Sequence, residues 1–88
     1  MNLKDMLRFE LIGLEVEIVS SKNKSLVGLK GKIVDETKNT IVIEKGNKEK
    51  EILKEQADFR FKINNDYIEC KGSLLLGRPE ERLKKKLQ

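Results

Sequence analysis

The sequence predicts a small, mainly β protein, an antiparallel barrel of about six strands with short N- and C-terminal helices. Apolar and charged residues alternate along several short segments, most clearly at Phe59, Phe61 and Ile63. Polar turns separate these segments, and Gly31 lies inside one of them, where a glycine usually marks a bend or bulge. With 88 residues, the chain is expected to form one domain around a small core.

Local signals divide this single domain into three parts. Residues 1–13 are predicted to form an N-terminal helix, residues 14–77 the barrel, and residues 78–88 a basic C-terminal helix. Asn2 is a suitable N-cap for the first helix, and Gly13 is suited to end it. The second helix is expected to start near a proline and to carry its lysines at its negative end.

Alternation along the predicted strands separates an inner face from an outer face. The apolar residues of the inner face form the predicted core: Val16, Ile18, Ile33, Ile41, Ile43, Phe59 and Phe61. Outward positions include three β-branched residues, Val19, Val34 and Val42, which need a cover from the terminal helices or from a partner protein. Gly46-Asn47 predicts a hairpin turn.

Two further segments carry weaker signals. The segment Lys48 to Lys54 is mostly charged, with Ile52 as its clearest apolar position, and is therefore predicted to be exposed or at an edge. Leu74, Leu75 and Leu76 follow one another directly, which predicts a segment covered on both sides.

The positive charge of the chain is unevenly distributed. The formal net charge is +4, and residues 78–88 alone carry +3, from five basic and two acidic residues. A second basic stretch runs from Lys22 to Lys38. Basic segments beside a nearly neutral body indicate a polyanion partner. The same pattern also fits a solvated surface with a frayed tail, so charge alone leaves both interpretations open.

Composition also limits the chemistry. The chain has no histidine, the commonest general base and metal ligand. Cys70 is the only cysteine and is predicted to be a small core residue. Asp35 is expected to bond the backbone that follows it, and the Asp35-Glu36 pair is a weak metal candidate. The single cysteine and the absence of a signal-peptide core predict an intracellular, cytoplasmic protein without a membrane segment.

Three parts of the chain resemble one family, archaeal ribonuclease P protein component 1. The first runs from Ser25-Leu26-Val27-Gly28-Leu29 through Gly31 to Asp35-Glu36-Thr37 and Asn39-Thr40. The second is the strand Phe59-Arg60-Phe61, and the third is Gly72-Ser73-Leu74 to Arg78-Pro79-Glu80-Glu81-Arg82. Leu11-Ile12-Gly13-Leu14 also fits the start of the family pattern, whereas Lys45 to Asp58 carries little of it.

This resemblance implies an Sm-like antiparallel barrel and a role in ribonuclease P, the ribonucleoprotein that removes 5′ leaders from precursor tRNA. It implies a noncatalytic subunit, because in that enzyme the RNA performs the cleavage with magnesium. No cofactor is expected on this chain. Its expected partners are ribonuclease P RNA, a small zinc-binding protein subunit that forms a heterodimer with it, and, indirectly, precursor tRNA.

Basic residues supply the candidate contacts to RNA, through phosphates, sugar hydroxyls and RNA shape. These candidates are Lys22, Lys24, Lys32, Arg60, Lys62, Arg78 and Arg82. A helical stripe of Leu3, Met6 and Leu7 is the candidate partner-binding surface. A protein-interaction module of an RNA-processing complex, without RNA contact, and a metal-dependent nuclease remain as alternatives.

Overall fold

The computed structural model describes residues 11–77, which contain six strands and three short 3-10 helices. The elements are β1 (Glu15–Ser21), η1 (Lys24–Leu26), β2 (Lys30–Glu36), β3 (Thr40–Lys45), β4 (Lys48–Leu53), η2 (Lys54–Gln56), β5 (Ala57–Ile63), β6 (Asp66–Lys71) and η3 (Gly72–Leu75). Residues 11–13 form a turn, in which Gly13 has φ +96°. The helices predicted over 1–13 and 78–88 otherwise lie outside the described residues.

All six strands belong to one antiparallel sheet with the order β4-β3-β2-β1-β5-β6. Consecutive strands pair as hairpins, except that β5 returns to pair with β1. Gly46, at φ +62°, starts the two-residue turn between β3 and β4, as its position in the sequence predicts. The charged segment that starts at Lys48 is an edge strand, which confirms that prediction.

The inner face of this sheet buries a single hydrophobic core. It includes all seven residues predicted from the alternation. The other buried members are Leu11, Ile52, Ala57, Ile63, Ile68, Cys70 and Leu75. Because residues of all six strands share this cluster without a second sheet, the sheet must curl around its own inner face, which confirms the barrel-like architecture. The three outward valines are each half-buried.

Strand β2 changes partners along its length. It pairs with β1 at Lys30–Lys32 and with β3 from Lys32 to Glu36. A Cβ atom on Gly31 would overlap the backbone oxygen of Glu44, so this glycine permits a close approach of β3. The bulge lies further along, between Ile33 and Asp35. The sequence predicts a bend or bulge at Gly31; the structure has its register shift further along β2, whereas Gly31 itself permits the close approach of β3.

The two edge strands do not pair with each other, and η2 packs against η3 in the gap between their ends. A Cβ atom on Gly72 would overlap the carbonyl oxygens of Lys54 and Ala57, so only glycine allows this contact. Leu75 is fully buried here, whereas Leu74 is 48% exposed. The prediction that Leu74 is covered was wrong, because the tight turn of η3 directs successive side chains to different sides. None of the helices within residues 11–77 has the length and apolar character to cross a membrane.

Candidate nucleic-acid interface

The outer faces of β2, β1 and β5 form a shallow groove with a volume of about 400 Å³, bordered by β6. Because side chains alternate along a strand, charged residues that follow and precede buried apolar ones point to this outer face. The charged residues that line the groove are Glu15, Glu17, Lys30, Lys32, Arg60 and Lys62; Val16, Gly31 and Tyr67 complete the lining. The structure therefore brings together three of the predicted RNA contacts: Lys32, Arg60 and Lys62.

One row of residues crosses the groove from β2 to β6. Glu15 is directly opposite Lys32 on β2 and opposite Lys62 on β5, and Lys62 is in turn opposite Tyr67 on β6. Glu44 on β3 lies on the other side of Lys32. Within residues 11–77, neither lysine forms an ion pair with these carboxylates. Both ammonium groups are therefore available to an anionic ligand.

The neighbouring row is engaged in ion pairs. Glu17 lies 3.9 Å from Lys30 Nζ and 3.6 Å from Arg60 Nη1. Arg60 Nη2 also donates a hydrogen bond of 3.2 Å to Glu69 Oε1 on β6. Because Arg60 is held between two carboxylates, its guanidinium has less capacity for a phosphate than the lysines of the first row. Lys30, which the candidate set omitted, has the same outward orientation as Lys32.

Two other predicted contacts lie elsewhere. Lys22 and Lys24 are exposed and follow the C-terminal end of β1, whereas the groove lies at its N-terminal end. At the usual rise per residue of a strand, this separation is about 20 Å. Asn23 caps η1 by accepting a hydrogen bond from the Ser25 backbone N–H at 3.1 Å, which fixes the loop. The basic candidates thus fall into separate groups.

A buried lysine joins several chain segments at the end of the barrel near this loop. The Lys54 ammonium donates to Glu36 Oε2 at 2.8 Å, and both side chains are almost completely buried. It also donates to the backbone oxygens of Thr37, Lys38 and Gly77, at 2.7, 3.2 and 3.0 Å. A buried charge requires such partners, since an unpaired one would lose its hydration without compensation.

The prediction that the segment Lys48 to Lys54 is exposed was therefore wrong at its last residue. Lys54 starts η2 instead of continuing β4, so its side chain leaves the alternation of the strand and enters the interior. No local signal in a lysine-rich segment distinguishes the one lysine that is buried. Asp35 behaves as predicted, because its carboxylate accepts the Glu36 backbone N–H at 2.8 Å.

This lysine also holds Gly77, the last described residue. Gly77 is held by Lys54 through its carbonyl, and its N–H donates to the Lys38 carbonyl at 2.9 Å. Gly77 therefore lies beside the β2–β3 turn. The candidates Arg78 and Arg82, and the partner stripe Leu3, Met6 and Leu7, lie outside the described residues.

Cys70 and the carboxylate of Glu36 are both engaged by other groups of the protein. Cys70 is buried in the core, and its thiol donates to the Lys71 carbonyl at 3.3 Å. Within residues 11–77, no group of three or more histidine, cysteine or acidic side chains is arranged to hold a metal ion. The carboxylate of Glu36 is engaged by Lys54.

Comparisons with known proteins agree with the resemblance seen in the sequence. The family model of ribonuclease P/MRP, subunit p29, matches residues 4–85. Ribonuclease P protein component 1 of Methanococcus aeolicus is 60% identical over 86 residues, which cover 96% of this chain and 90% of that protein. The component 1 protein of Methanocaldococcus jannaschii is 55% identical over 85 residues, with coverage of 96% and 90%.

A solved structure gives the same result for the fold. The protein Mth11, described as a homologue of the human RNase P protein Rpp29, aligns with a TM-score of 0.61 and 41% sequence identity. The alignment covers 84% of this chain and 97% of that one. The matches therefore extend over nearly the whole chain.

Proposed function

Because the chain belongs to the ribonuclease P/MRP subunit p29 family, and is thus a ribonuclease P protein subunit, we propose that it binds RNA through its groove. The observation that carries this proposal is the pair of lysines, Lys32 and Lys62, that flank the groove without ion-pair partners among the described residues. Ammonium groups in this setting bind phosphates and release the counterions of the RNA.

In this proposal the protein positions RNA and does not cleave it. The chain has no histidine, and the carboxylate of Glu36 is neutralised by Lys54 instead of facing solvent. The RNA subunit would supply the cleavage, with magnesium held by RNA. This chain would bind no cofactor of its own, and the complex would act on precursor tRNA in the cytoplasm.

A zinc-binding protein subunit is the proposed protein partner, with Leu3, Met6 and Leu7 as its proposed contact. The alternative function, a protein-interaction module without RNA contact, is favoured by one feature of the described residues. Leu53 is 48% exposed and lines a second groove together with Leu76. Exposed apolar side chains of this kind suit a protein partner better than a phosphate backbone.

We predict that cleavage of precursor tRNA depends on this protein but is not performed by it. Reactions in magnesium would contain the protein alone, ribonuclease P RNA with the zinc-binding subunit, or all three components. Only the complete mixture should cleave precursor tRNA efficiently when the concentration of ribonuclease P RNA is limiting. The variant Lys32→Gln/Lys62→Gln should require more protein to reach the same rate, because it weakens binding and leaves the fold intact.

Two outcomes would contradict the proposal. Cleavage by the highly purified protein alone would make it a nuclease. Full activity of the lysine variant at every protein concentration, together with normal pairing to the zinc-binding subunit, would favour the protein-interaction module.

A further inference from the structure

Tyr67 occupies an unusual position for an aromatic residue of this chain. Its side chain is 65% exposed, at the border of the groove. The other two aromatic residues within 11–77, Phe59 and Phe61, are completely buried and lie 6.1 Å apart between ring centroids. Tyr67 therefore contributes little to the core, and its ring is accessible to a ligand.

Its neighbours in the sheet give this ring a specific setting. Tyr67 is directly opposite Lys62, so the two side chains stand side by side on the outer face, about 5 Å apart at Cβ. Lys32 lies two strands from Lys62, on the other side of Glu15. The ring of Tyr67 thus lies beside the ammonium group of Lys62, and the ammonium group of Lys32 lies across the same groove, three strands from the ring. The groove volume of about 400 Å³ is within the range of small-ligand sites.

We propose that Tyr67, Lys62 and Lys32 form a binding site for an unpaired nucleotide of an RNA. The ring of Tyr67 stacks on the base. The two lysines bind the phosphates on the 5′ and 3′ sides of that nucleotide. This site deepens the proposed RNA-binding function and rests on it. It adds a contact to the base, which the basic residues alone do not make.

Stacking selects single-stranded segments, because bases inside an A-form helix already stack on their neighbours. It tolerates any base, since each base has a π-face. The site therefore distinguishes loops, bulges and ends from duplex, while the lysines bind both. Comparing single-stranded with duplex RNA therefore distinguishes the contribution of the ring to binding from that of the lysines.

The first test compares two RNA hairpins with equal numbers of phosphates, one with an unpaired loop and bulge and one as fully paired as a hairpin allows. Tyr67→Leu removes the ring but keeps an apolar side chain, and Tyr67→Phe keeps the ring. Tyr67→Leu should weaken binding to the first RNA about 5- to 100-fold, leave binding to the paired RNA unchanged, and preserve the salt dependence of both. Tyr67→Phe should bind both RNAs like the wild type.

A second measurement reads the contact directly, because Tyr67 is the only tyrosine and the chain has no tryptophan. Its intrinsic fluorescence should be quenched on binding the RNA with unpaired nucleotides, after correction for absorption by RNA, and much less by the paired one. Lys62→Gln serves as the control, because it should weaken binding to both RNAs and reduce the salt dependence.

The outcomes separate this site from the function on which it rests. Normal binding by Tyr67→Leu, with weakened binding by Lys62→Gln, would overturn the nucleotide site and retain RNA binding by the groove. Normal binding by both variants would overturn both proposals. Loss of pairing with the zinc-binding subunit in Tyr67→Leu, with RNA binding intact, would show that the ring contacts protein and would also overturn the nucleotide site.

Discussion

Replacing Phe61 with alanine is expected to lower the free energy of unfolding by about 3–5 kcal/mol. Phe61 has no exposed surface, lies between Val16 and Ile68 in the sheet and contacts Phe59 in the core. Truncation would leave a cavity in the middle of the only core found among the described residues. Since small domains have a total stability of roughly 5–15 kcal/mol, much of the margin would be lost. Chemical denaturation measures the change.

Tyr67→Ala is the matched control, because it removes an aromatic ring from the adjacent strand at an exposed position. Its unfolding free energy should stay within about 0.5–1 kcal/mol of the wild type. Equal losses in the two variants would contradict the assignment of Phe61 to the core and Tyr67 to the surface. The same denaturation measurement, applied to Tyr67→Leu and Tyr67→Phe, checks that the variants used for RNA binding are folded.

Replacing Lys54 with methionine is expected to be comparably destabilising, by about 3–5 kcal/mol. The substitution leaves the carboxylate of Glu36 buried without its cation and removes the donor from the carbonyls of Thr37, Lys38 and Gly77. Lys48→Met, on the exposed edge of β4, is the control and should change stability by less than about 0.5 kcal/mol. Thermal and chemical denaturation compare the two.

A double-mutant cycle separates the ion pair from the carbonyl contacts. Glu36→Gln alone removes the charge of the acceptor, and the double variant with Lys54→Met removes both charges. The double variant should be more stable than the sum of the single losses indicates, by about 1 kcal/mol or more, because no uncompensated charge remains. Strict additivity, or wild-type stability of Lys54→Met, would contradict the structural role assigned to this lysine.

Most of the fold could be predicted because it depends on local patterns. The alternation at Phe59, Phe61 and Ile63 assigns β5 and its buried face, and the Gly46-Asn47 pair assigns a hairpin. Both follow from the period of a strand and the geometry of a two-residue turn, which hold in any context. The predicted core was correct for the same reason.

The site was less predictable because it depends on which strands are neighbours. Lys32 and Lys62 were both identified as basic candidates, but only the pairing of β1 with β2 and β5 places them across Glu15 from each other. The same pairing separates them from Lys22. Tyr67 became a candidate contact because it is opposite Lys62 in the sheet. This pairing register could not be predicted from the sequence.

Lys54 shows a further limit of sequence interpretation. Its ammonium group has four acceptors from two separate segments, residues 36–38 and Gly77. These segments meet only in the folded chain. The residues that carry the family resemblance, from Asp35 to Thr40 and from Gly72 onward, include the ones that surround this lysine, so part of the motif is explained by structure.

The most direct test of RNA binding by the groove is the salt dependence of affinity for ribonuclease P RNA. Binding would be measured over about a tenfold range of monovalent salt for the wild type, for Lys32→Gln/Lys62→Gln, and for Lys48→Gln/Lys50→Gln, a control with equal charge loss on β4. If each groove lysine neutralises one phosphate, Lys32→Gln/Lys62→Gln should bind more weakly. The slope of its log affinity against log salt concentration should be shallower by roughly 1.4–1.8. The β4 variant should keep the wild-type slope. Identical slopes and affinities for the groove variant and the wild type would contradict RNA binding by the groove.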